Sequence, residues 1–170
     1  MFTLKDFCQA EFRPNQLGVG TPKGTEAAIH SLRSYVLNPQ NNDKVLLKID
    51  FKNAFNSIRH DVILNLVKAK LPKMYNFVHQ CYSYISSLRF GREIIDSCEG
   101  VQQDDLMGPF LFSLGIQEII KNCKSEFNCW YLDNGTLAGD IQTVFTDITN
   151  ITNAFTSHGS HSLKMTLNSE

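Results

Sequence analysis

The sequence is poor in several features that usually announce a function. Its five cysteines, Cys8, Cys81, Cys98, Cys123 and Cys129, are scattered with no CxxC pair, which excludes a recognisable zinc site or disulfide framework and leaves reduced thiols as the expectation. No sign of charge is in excess. Sixteen Lys and Arg against seventeen Asp and Glu give a net charge of −1, so there is no global pull on phosphate, and a self-sufficient nucleic-acid binder normally rests on several basic contacts to the backbone. Residues 1–14, MFTLKDFCQAEFRP, lack the apolar centre of a signal peptide, and no later run approaches a membrane span. A soluble, intracellular chain with no membrane partner is expected. Repeats, low-complexity tracts and linkers are absent too. What is present is core material: 170 residues, 42% hydrophobic, with 12 Phe, enough for one packed domain.

The pattern along the chain alternates helices and strands. Residues 13–24, RPNQLGVGTPKG, read as an ordered loop, and Thr25-Glu26 opens a helix with Ala28, Leu32, Tyr35 and Val36 on one face. Residues 45–49 form an apolar run interrupted only by Lys48, suited to a central strand, and Asp50 ends it. Two helices are expected on either side of Pro72, then a hairpin around Gly91, a polar loop over 96–106, and a helix from Gly108-Pro109 that is apolar around most of its girth. A hairpin over 127–139, FNCWYLDNGTLAG, is the central feature. Asn134-Gly135 between two apolar runs is the hairpin signal, because both residues accept positive φ, and it predicts Asp133 and Asn134 at a tight, exposed turn. An amphipathic helix over 141–155 and a terminal strand over 162–167 complete the pattern. The fold class is therefore α+β, a sheet covered by helices on one face, with the acidic turns on the open face.

Asp50 and Asp133 both end strands rich in apolar residues. Carboxylates from neighbouring strands suit hard dications, and in-line phosphoryl or nucleotidyl transfer often uses two Mg²⁺ about 3.5 to 4 Å apart. Acidic residues at turns are also common for local reasons. By spacing alone, both aspartates read as turn residues.

Three ordered blocks change that balance. Residues 45–58, VLLKIDFKNAFNSI, residues 100–112, GVQQDDLMGPFLF, and residues 131–135, YLDNG, together with PNQLGVGTPKGTEAAIHSLR upstream, resemble the reverse transcriptase domain of non-LTR retrotransposons, an RNA-directed DNA polymerase. The resemblance runs from about Arg13 to the end. It implies a polymerase palm-like antiparallel sheet backed by helices, with residues 13–44 as a finger remnant and connecting helix and 45–170 as palm. It implies addition of deoxynucleotides to a primer 3′-hydroxyl on an RNA or DNA template, in the nucleus or cytoplasm, with two Mg²⁺ held by Asp50 and Asp133. The carbonyl of Phe51 would be a further ligand, Phe55 the steric gate against a ribose 2′-hydroxyl, Gln103 a contact to the incoming nucleotide, and Tyr131 a support for the primer terminus.

The departures from the pattern are specific. Asn134 stands where the family has a second Asp, Asp104 replaces a Gly and Leu106 a Pro in the second block. An amide oxygen can ligate Mg²⁺ but neutralises no charge, so impaired metal binding and catalysis are expected. The family's basic finger segments, the Lys proposed to protonate pyrophosphate, the thumb and the endonuclease domain have no match among these residues. The alternative is a catalytically inactive remnant that acts as an interaction or weak nucleic-acid-binding module, or has no function. Outside these blocks, His158 and His161 read as a solvated pair and His30, His60 and His79 as structural residues on helices.

Overall fold

A computed structural model describes residues 3–51, 53–97, 99–102 and 105–157. Helix α1 (Leu4–Phe12) opens on a reciprocal capping box, Thr3 accepting from the Asp6 amide while the Asp6 carboxylate accepts from the Thr3 amide and hydroxyl. After a loop come α2 (Gly24–Val36), a single 3₁₀ turn (Pro39–Asn41), β1 (Val45–Asp50) and the short α3 (Ala54–Ser57). Helices α4 (His60–Lys70) and α5 (Pro72–Tyr82) follow, Pro72 sitting in the first turn of α5, where its missing N–H costs nothing. The hairpin β2 (Ser86–Phe90) and β3 (Glu93–Ser97) turns at Gly91-Arg92. Then come α6 (Gly108–Asn122), β4 (Phe127–Tyr131), β5 (Asn134–Gly139) and α7 (Ile141–Ser157). The predicted terminal strand and the 158/161 histidine pair lie outside the described residues.

The main sheet is antiparallel, in the order β1-β5-β4. Its centre is β5, and β1 lies at the edge among the described strands, which corrects the reading of residues 45–49 as a central strand. An edge position explains Lys48, whose exposed side chain a strand buried on both faces would not tolerate. Strict alternation sorts the sheet into two faces. Ile49, Gly135 and Trp130 form one inner rung and Leu47, Leu137 and Asn128 the next, while the outer face carries Asp50, Asn134 and Tyr131, then Lys48, Thr136 and Cys129, then Leu46, Ala138 and Phe127.

Helix α6 joins two hydrophobic cores, which is why it is apolar around most of its girth. Phe112, Ile116 and Ile120 pack with Ile49, Trp130 and Leu137 of the sheet and Val144, Ile148 and Ile151 of α7. Phe110, Leu111 and Leu114 pack instead with Phe7 and Phe12 of α1, Ile63 and Val67 of α4, and Val78 and Tyr82 of α5. Ion pairs tie the second assembly at its rim, Lys70 bridging Glu11 at 2.5 Å and Glu118 at 2.7 Å. The inner face is thus covered by α6 and α7, as expected. The outer face is only partly open: α2 lies over its β4 end, with Tyr35 against Phe127 at 5.4 Å between ring centroids. The rung of Asp50, Asn134 and Tyr131 is exposed at the other end.

Candidate active site

Asp50 reaches the exposed rung by the alternation of side chains along β1, Ile49 pointing inward and Asp50, like Lys48, outward. Asn134 pairs directly with Asp50 on one side and Tyr131 on the other. That pairing relocates the predicted turn. The hairpin turns at Leu132-Asp133, with Leu132 at φ 56°, and Asn134 and Gly135 lie within β5. Gly135 is glycine for a different reason: a Cβ there would come within 2.6 Å of the Trp130 ring, which lies across it and stacks on Phe51 at 5.4 Å. Leu132 is the residue that takes the left-handed conformation, at a cost of about 1–2 kcal/mol for a side chain of its size. Its N–H and C=O are both held by the buried side-chain amide of Gln16, a residue that no sequence signal distinguished from the rest of its loop.

Asp133 opens onto a cleft of about 540 Å³ that also has Asn53, Phe55, Val101, Gln102 and Asp105 in its walls. Two backbone bonds stitch these walls together, the Val101 amide donating to the Phe55 carbonyl and the Gly100 amide to the Ile58 carbonyl, each at 2.7 Å. Phe55 is half-buried and stacks on the fully buried Phe112 at 4.4 Å. Phe55 thus packs into the core with one face and forms part of the cleft wall. Phe51 is buried between Trp130 and Phe155. Asp105 is committed structurally: it accepts the Tyr82 hydroxyl at 2.6 Å and the Met107 amide at 2.9 Å, where α6 begins. Burial first, and then Asp105, raise the Tyr82 pKa, which keeps that hydroxyl a donor. His60 is satisfied as expected, its Nε2 lying 2.8 Å from the Gly100 carbonyl. Gln103 and Asp104 lie outside the described residues. Leu106, beside the cleft, is almost wholly exposed.

The electrostatics mark Asp133 as the least comfortable carboxylate. Burial pushes its pKa up from the ordinary aspartate value, and the nearby Asp50 adds to the shift; the Asn134 amide, donating at 3.1 Å, opposes it. No basic side chain among the described residues pairs with either aspartate. A group whose folded pKa is raised binds its proton more tightly in the folded state, so its destabilising effect is absent at low pH and grows as pH rises through that pKa. Asp133→Asn is therefore expected to raise the unfolding midpoint at pH 7, with a gain that shrinks as pH falls into the carboxylate range. Urea unfolding across pH checks this, and a lower midpoint at pH 7 would show that Asp133 supports the fold.

The family model for reverse transcriptase (RNA-dependent DNA polymerase) matches residues 2–170. The chain belongs to the reverse transcriptase family. A comparison with curated proteins finds no match. Reverse transcriptase domains generally use Mg²⁺, and the residues here fit a hard dication: two oxygen donors of like charge, brought close, one of them half-buried, with no cationic side chain among the described residues paired to either. No group of three or more His, Cys, Asp or Glu side chains among the described residues is arranged so that it could hold a metal ion. The residue paired with Asp50 and bonded to Asp133 is Asn134, an amide. No helix among the described residues is long and apolar enough to cross a membrane.

Proposed function

We propose that this reverse transcriptase domain is the palm of a non-LTR element's polymerase, residues 45–170, with a finger remnant over 13–44, and that it adds deoxynucleotides to a primer 3′-hydroxyl on an RNA or DNA template with activity impaired by Asn134. The observation that carries the reading is the exposed rung of Asp50, Asn134 and Tyr131, with Asp133 at its corner opening onto the cleft that Phe55 walls. Asp50 and Asp133 would hold Mg²⁺, with the Phe51 carbonyl as a further ligand. Bound there, the metal supplies charge neutralisation and activates the attacking hydroxyl.

The chain's own residues do the rest. Phe55, braced from behind by Phe112, stands where bulk at the sugar 2′ position is excluded. Tyr131, exposed at the end of β4, offers a flat aromatic face to the primer terminus. Gln103 would touch the incoming nucleotide. Asn134 can lend its amide oxygen to a cation, yet it leaves the site one negative charge short.

Trp130 is the one tryptophan of the chain and lies one residue from the rung, so its emission reports on a paramagnetic ion bound there. Titration with Mn²⁺ is expected to give saturable quenching that Mg²⁺ competes away and Asp50→Asn abolishes. Unsaturable quenching, identical in the variant, would overturn the metal assignment.

A further inference from the structure

We propose that Gln16 is the positioning residue of the hairpin that presents Asp133. Residues 15–17 run parallel to β4 as an added edge: the Trp130 amide donates to the Asn15 carbonyl at 2.7 Å, and the Leu17 amide donates to the Trp130 carbonyl at 2.8 Å. The Asn15 side chain adds a bond to the Asn128 carbonyl at 2.9 Å. Where the backbone pairing ends, the Gln16 side chain continues it. Its Oε1 accepts from the Leu132 amide at 2.8 Å and from the Gly18 amide at 3.0 Å, while its Nε2 donates to the Leu132 carbonyl at 3.0 Å.

A primary amide is the smallest group that can do this. It offers donor and acceptor in one plane, as a peptide does, and so pairs with both polar groups of a single residue. Gln16 is fully buried, and a buried network of this kind specifies one geometry because each alternative leaves a partner unsatisfied. The residue it grips is the left-handed Leu132, whose carbonyl belongs to the peptide leading into Asp133. Gly18 closes the mould from the other side: a Cβ there would lie 2.7 Å from the Leu132 amide nitrogen and Cγ. The loop before α2 thus determines how far Asp133 projects, although it lies over a hundred residues away in sequence.

The metal-binding arm of the test rests on the function proposed for Asp50 and Asp133; the exchange arm does not. Gln16→Leu removes all three side-chain bonds, Gln16→Glu keeps the acceptor and loses the donor, and Val67→Ala serves as a control that weakens the other core, away from the hairpin. Amide exchange at Leu132 and Gly18 by NMR, corrected for global stability, is expected to accelerate about tenfold or more in Gln16→Leu, as loss of a bond of ordinary strength implies. Exchange at Leu132 stays slow in Gln16→Glu and in the control. Mn²⁺ affinity, read from Trp130 quenching, is expected to fall about 10- to 100-fold in Gln16→Leu, as for other residues that orient a ligand. It falls less in Gln16→Glu and not at all in Val67→Ala.

Unchanged Leu132 exchange in Gln16→Leu, or an equal loss of Mn²⁺ affinity in Val67→Ala, would overturn the assignment. Should Gln16→Leu fail to fold, Gln16→Glu decides: affinity equal to the parent chain removes the role of the Nε2 donor. Should the parent chain bind no Mn²⁺, the proposed function fails, while the exchange rates still decide whether Gln16 holds the turn.

Discussion

Asn134→Asp is expected to raise Mg²⁺-dependent primer extension by about 100-fold or more over the parent chain, the scale on which one transition-state partner is usually felt. Asn134 is already in place: it is exposed, lies directly opposite Asp50 across the β1-β5 ladder, and is hydrogen-bonded to Asp133. The substitution changes one atom type and the charge, with little demand on packing. It also places a third carboxylate beside Asp133, which burial and Asp50 already disfavour in its charged form. The variant should therefore be less stable than the parent without divalent cation and recover on adding Mg²⁺, by the linkage of folding to binding. Extension on an RNA template with labelled primer, with Asp50→Asn added as a dead control, measures the first effect and thermal unfolding with and without Mg²⁺ the second. If extension is absent in both parent and variant while Mg²⁺ still stabilises the variant, the carboxylates bind metal without doing chemistry. The reading then passes to a catalytically silent nucleic-acid-binding or interaction module.

Phe112→Ala is expected to destabilise the domain by about 3–5 kcal/mol, the usual cost of removing a fully buried phenylalanine. Phe112 sits on the helix common to both cores and is wholly inaccessible, with the Phe55 ring stacked on it at 4.4 Å. Domains of this size hold only about 5–15 kcal/mol in total, so the variant should be close to unfolding at room temperature. Phe55→Ala should cost clearly less, because Phe55 is half-buried and its removal opens onto an existing cleft. Urea unfolding of both variants gives the comparison. A Phe112→Ala cost below about 1 kcal/mol would mean that α6 and α7 collapse readily into the space, and that Phe55 has no rigid backing.

Much of this arrangement was legible in the residues, because its signals are local. The apolar girth of α6, the proline starting α5, the hairpin at Gly91 and the placing of Asp50 at the end of β1 all follow from short-range rules. The misread features depend on partners far away in sequence. Asn134-Gly135 has the local signature of a turn, but a tryptophan ring on the neighbouring strand claims Gly135 for the sheet, and the turn falls at Leu132-Asp133, with the leucine left-handed. Residues 45–49 look central because they are apolar, whereas sheet order is decided by which strands pair, and β5 pairs on both sides. The capping box of α1 was available in Thr3 and Asp6 but lies in a segment read only for targeting signals. Gln16 carries no local mark: its role exists only once β4 is beside it.

The pairing of Asn134 and Gly135 also bears on how the protein ages. Asparagine before glycine is the dipeptide most disposed to lose its side-chain amide, through attack of the following backbone nitrogen on the side-chain carbonyl to form a cyclic imide. That attack needs a backbone free to curl. Here both residues are held in the central strand, paired to β1 and β4, with Gly135 buried under the Trp130 ring. The sheet that displays the amide beside Asp50 thus also preserves it, and the absent carboxylate is not regenerated by slow chemistry while the hairpin stays folded.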